Sequence, residues 1–65
     1  MAARLPRLTA AEAERLLVQA GFVWVRSKGS HRIYQRQAER MVVPFHAARV
    51  LHPKVVKAIM EAVSP

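Results

Sequence analysis

Apolar residues recur at Ala13, Leu16, Leu17 and Ala20, the i, i+3, i+4, i+7 spacing of a single helical face. Thr9-Ala10-Ala11-Glu12 stands before them as a capping box, in which the Thr hydroxyl and the Glu carboxylate each satisfy a free amide. Gly21 follows where a left-handed residue would close the helix, so the pattern predicts a first helix to about Ala20. The period then changes. Phe22 to Ser27 is aromatic and β-branched, which predicts a strand; Lys28-Gly29 makes a two-residue turn, and Ser30 to Arg36 returns as a second strand. A connection at Gln37-Ala38-Glu39 leads to a third strand, Arg40 to Val43, which Pro44 ends because proline cannot donate to the ladder. Residues 45–52 form a loop, and Pro53 takes the favoured first position of a second helix. Val55, Val56, Ile59, Met60 and Val63 make its buried face, with Lys54, Lys57 and Glu61 turned outward.

The element order is therefore α-β-β-β-α, an α+β class. A three-stranded antiparallel sheet with two helices on one face buries both helical stripes in one core. Residues 1–8 are a short frayed lead-in and residues 9–65 a single domain. With the turn at Lys28-Gly29, Arg26 lies opposite His31 on the face of Trp24 and Ile33, while Val23, Val25, Arg32 and Tyr34 share the other. Both faces mix apolar and basic residues, so the pattern alone does not choose the buried one.

Composition adds two constraints. A chain of 65 residues hides only about 60% of the surface its unfolded form exposes, and with no cysteine it has no disulfide or thiolate staple. Support must come from packing, self-association as a homo-oligomer, or a partner. Eleven Lys and Arg against four Glu give a formal charge of +7, which favours a polyanionic partner, nucleic acid first. No signal peptide or membrane span is read, so the expectation is a soluble cytoplasmic protein with no membrane partner.

The residue with the most chemistry is His31 in Ser27-Lys28-Gly29-Ser30-His31-Arg32. Histidine titrates near neutral pH, Gly29 permits close backbone approach, Ser30 offers a hydroxyl, and Lys28 and Arg32 supply charge. Such a group suits RNA cleavage by the substrate's own 2′-hydroxyl, with Arg and Lys steadying the negative charge on phosphorus. A hydrolytic metal site needs clustered carboxylates, and Glu12 and Glu14 belong to the first turn of helix 1, so no metal and no cofactor is expected. His46 is either a second acid/base or phosphate contact, or a loop histidine that holds the turn. His52 caps or solvates the start of helix 2. Arg26, Lys28, Arg32, Arg36 and Arg40 crowd the hairpin and third strand, and Arg49, Lys54 and Lys57 stand near helix 2. Together they form a candidate RNA track, with Arg26, Arg36, His46, Arg49, Lys54 and Lys57 as its binding residues. Trp24 and Tyr34 either stack bases or belong to the core.

Ala20-Gly21-Phe22, the run Arg26 to Tyr34, Val43-Pro44-Phe45-His46 and Leu51-His52-Pro53 resemble the HicA family of mRNA interferase toxins over about residues 9 to 63. The resemblance implies a double-stranded-RNA-binding-domain-like fold, endoribonuclease activity on mRNA, and neutralisation by a HicB-type antitoxin. It implies that His31 is the catalytic histidine and that Gly29 and Ser30 shape its turn, with Lys28 and Arg32, which bracket the imidazole with charge, completing the catalytic-loop support. Two positions depart from the family pattern. Arg32 stands where a second histidine is frequent, and Pro53-Lys54-Val55 where Pro-Gly-Thr is common. The contrasting expectation is a non-catalytic RNA-binding module of the same fold.

Overall fold

The computed structural model describes residues 5–46 and 49–64. Helix α1 spans Ala10–Gln19, strands β1, β2 and β3 span Val23–Lys28, His31–Arg36 and Glu39–Pro44, and helix α2 spans Pro53–Val63. The expected order α-β-β-β-α and the antiparallel sheet, in the order β1-β2-β3, are both present. No helix among the described residues is long and apolar enough to cross a membrane.

Local chemistry sets the ends of α1. The Thr9 hydroxyl accepts the Glu12 amide at 3.3 Å and the Glu12 carboxylate accepts the Thr9 amide at 2.9 Å, which completes the capping box. At the other end Gly21, at φ 99°, donates to Val18, and Phe22 donates to Leu17. That is a Schellman close, and its apolar partners Phe22 and Leu17 are both buried. At the start of α2 the His52 ring accepts the Lys54 amide at 3.0 Å, so the capping role expected of His52 is met.

The hairpin register differs from expectation by one residue. The turn is Gly29–Ser30, Lys28 faces His31, and Arg26 faces Ile33 rather than His31. Gly29, at φ 58°, occupies the first central position, where a type II′ hairpin needs positive φ. A bulge between Trp24 and Arg26 leaves Val25 unpaired and returns Trp24 to a place opposite Tyr34. Trp24 therefore shares the face of Tyr34, and the expected grouping of Trp24 with Ile33 fails. The indole N–H bonds the Arg26 carbonyl at 3.0 Å across the bulge.

Tyr34 and Val43 face the helices and, with Ala13, Leu17, Phe22, Val56 and Ile59, form the centre of the core. Leu8 joins them, and its carbonyl accepts the Leu51 amide at 2.7 Å, so the lead-in is pinned from Leu8 onward rather than frayed. Residues 1–4 of that lead-in lie outside the described residues. The opposite sheet face carries no helix. It is built from three rungs, Lys28–His31–Pro44, Arg26–Ile33–Val42 and Val23–Gln35–Arg40.

Candidate functional site

His31 opens β2 directly after the turn, exposed, on the helix-free face between Lys28 and Pro44. The next two rungs place exposed Arg26 and Arg40 on that same face. None of the three rungs contains a carboxylate. Open space surrounds the position a Cβ would take on Gly29, so the turn presents a bare backbone beside the imidazole. The Ser30 carbonyl accepts the Phe45 amide at 2.7 Å, which ties the turn to the chain leaving β3. A narrow hairpin tip is thereby held as an extension of the sheet.

Pro44, the cross-strand neighbour of His31, also forms one wall of a groove of about 220 Å³ lined by His46, Arg49, Val50, Leu51 and His52. The loop after β3 thus brings His46, Arg49 and His52 to the end of the sheet where His31 stands. Lys54 and Lys57 are exposed on α2 beyond it. The amides at the start of α2 are already used. That of Lys54 goes to the His52 ring, and those of Val55 and Val56 go to the His52 carbonyl at 2.9 and 3.0 Å. An anion here would meet side chains instead of a free amide nest.

Arg32 and Arg36 face the other way, toward the helices, because residues two apart share a face with buried Tyr34. The Arg32 guanidinium lies between the rings of Trp24 and Phe45, 4.3 and 4.0 Å from their centroids, and bonds Glu14 at 2.8 Å. The Tyr34 hydroxyl donates to the same Glu14 carboxylate oxygen. Trp24 is half exposed while Tyr34 is fully buried, so only Trp24 keeps a surface open to a base. Arg32 therefore braces the hairpin from behind.

Arg36, expected to contact RNA, is engaged inside the protein. It donates to Glu39 at 2.9 and 2.6 Å, to the Ala20 carbonyl at 2.8 Å and to the Ala62 carbonyl at 3.0 Å. Its guanidinium carbon lies over the Phe22 ring, 4.5 Å from the centroid. Neither helix has a basic residue in its own last turn, and Arg36 serves both ends from the sheet.

The helix dipole alone accounts for Glu14 in the sequence, and no local spacing points to its cluster with Arg32 and Tyr34. Tyr34 holds its carboxyl below the ordinary range, with help from Arg32, and together they outweigh the cost of burial. Burial first, then Glu14, push the Tyr34 phenol well above its usual value, so it stays a donor. A depressed carboxyl stabilises the fold above its unfolded pKa and withdraws that support as pH falls through the folded value. Thermal melts should therefore lose stability as pH drops below about 5. Glu12, also held low by its Thr9 bonds, adds in the same direction. Glu14→Gln should be less stable than the parent at neutral pH and respond less to acid. Parallel pH profiles for parent and variant would remove Glu14 from this role.

Among the described residues, no three His, Asp or Glu side chains gather as a metal site. Residues 10–63 match the family model described as HicA toxin of bacterial toxin-antitoxin. No curated protein and no solved structure matches the chain significantly.

Proposed function

We propose that this chain, which belongs to the HicA toxin family of bacterial toxin–antitoxin systems, is a metal-independent endoribonuclease that cleaves mRNA with His31 as general acid/base. The family makes it the toxin of such a pair and implies an antitoxin partner. We take that partner to be HicB-type and the site of action to be the cytoplasm, where mRNA is met.

One observation carries the reading: an exposed imidazole at a hairpin tip, on a carboxylate-free sheet face shared with Lys28, Arg26 and Arg40. RNA supplies its own nucleophile. As the 2′-oxygen bonds to phosphorus and the bond to the 5′-oxygen breaks, one proton leaves the 2′-hydroxyl and another reaches the departing oxygen. His31 takes or gives one of these protons. Lys28 and Arg26 steady the added negative charge on phosphorus, and Arg40, Lys54 and Lys57 extend the cationic track. Gly29 and Ser30 shape the tip, while Arg32 supports it from the helix side.

The four Glu carboxylates lie off this face. Glu12 closes the capping box, Glu14 holds Tyr34 and Arg32, Glu39 holds Arg36, and Glu61 lies exposed on α2. Purified protein should therefore cut a labelled single-stranded mRNA in excess EDTA, leaving 2′,3′-cyclic phosphate and 5′-hydroxyl ends. A 5′-phosphate product, or activity lost on chelation and restored by divalent ions, would contradict this mechanism. Salt-sensitive binding without fragments would identify a non-catalytic RNA-binding module instead.

A further inference from the structure

The cap at α2 fixes more than a helix end. His52 Nδ1 accepts the Lys54 amide at 3.0 Å, so the neutral ring carries its proton on Nε2. Nε2 is the ring nitrogen that the cap leaves free, and exposed His52 lines the groove with His46 and Arg49. No carboxylate is among the lining residues, and Pro44, Val50 and Leu51 give an apolar backing that strengthens polar contacts. Pro44 places the groove one strand away from His31, roughly 5 Å between paired backbones.

We propose that this groove is a phosphate subsite for the RNA strand passing His31, with His52 Nε2–H as a donor alongside Arg49 and His46. The inference rests on the ribonuclease reading and names where a neighbouring phosphate of that substrate is held. It also accounts for the chain's own solution at this helix. With the first amides satisfied internally, a side chain supplies the donor that free backbone would otherwise provide.

Capping and phosphate binding separate cleanly by substitution. Asn and Asp are among the best N-caps, so His52→Asn and His52→Asp both keep α2 closed. Neither retains the Nε2–H, and Asp adds a charge that suits the helix dipole but repels phosphate. Binding is read by anisotropy with a single-stranded 2′-O-methyl RNA, which lacks the nucleophile, and cleavage is followed on the unmodified strand. Both variants should melt within a few degrees of the parent. The dissociation constant should rise about tenfold for His52→Asn, and further for His52→Asp. In cleavage, KM should rise while kcat changes little. Arg49→Gln, which leaves the cap untouched, should weaken RNA in the same manner.

Parent-like RNA affinity in the His52 variants overturns the subsite while leaving the ribonuclease reading intact. Weaker capture of the cognate antitoxin with unchanged RNA affinity overturns it too, and assigns the groove to that protein. A parent protein that neither binds nor cuts RNA removes both readings together.

Discussion

His31→Ala should lower RNA cleavage by about 10²- to 10⁴-fold, the usual contribution of a positioned acid or base. The fold should survive. His31 is exposed, makes its ladder contacts through the backbone, and sits opposite Pro44 and Lys28. Surface substitutions of this kind stay within about 0.5 kcal/mol, so the melting temperature should move by no more than about 4 °C. RNA affinity should also hold, because Arg26, Lys28 and Arg40 remain on the same face. The signature is therefore specific: kcat falls, while KM, binding and melting stay near the parent values. Growth inhibition on expression should disappear in parallel. Unchanged cleavage by the variant, in preparations free of other nuclease, would end the assignment of His31. A variant that fails equally in binding would move the residue from proton transfer to substrate anchoring.

Much of the fold could be read directly from residue spacing. The capping box at Thr9, the glycine after Ala20 and the proline at the first turn of α2 act through local geometry, which needs no knowledge of the rest of the chain. The hairpin register was less accessible. Gly29 can serve either central position of a two-residue turn, and the bulge at Val25 carries no signal in residue type. That shift matters, because it decides which cations accompany His31. Arg26 lies one rung away from His31, and Lys28 takes the place beside it.

The two faces of the sheet were separable in principle. Once Tyr34 is assigned to the core, the two-residue period carries Arg32 and Arg36 to the helix side with it. Charge alone cannot show this, since a guanidinium on a surface track and one clamped to carbonyls look identical in sequence. The partners that hold them inward are distant: Glu14 is 18 residues from Arg32, and Ala62 is 26 residues from Arg36. What remains on the outer face is a smaller cationic set than the sequence suggests, concentrated around His31. The reach of the site into the loop after β3 follows from the His31–Pro44 pairing, which only the third strand's register supplies.

Arg36→Met should cost about 2–4 kcal/mol, the largest loss expected of any single cation among the described residues. The methionine keeps an aliphatic stem but abandons Glu39, the carbonyls of Ala20 and Ala62, and the guanidinium's place over the Phe22 ring. Those carbonyls are partly buried helix ends, and each loses a charged donor that water replaces poorly. A domain of 65 residues has only about 3–10 kcal/mol in total, so about a fifth or more is at stake. At roughly 4–8 °C per kcal/mol, the melting temperature should fall by about 10 °C or more. Arg36→Lys should recover part of this, because one ammonium cannot span both helix ends and the carboxylate as the planar guanidinium does. The alternative employment of Arg36, as an RNA contact, makes the opposite forecast: a parent-like melt with weaker binding and a shallower salt dependence. Melting and RNA affinity measured side by side, well below the variant's transition, therefore decide whether this arginine holds two helices to the sheet or faces the substrate.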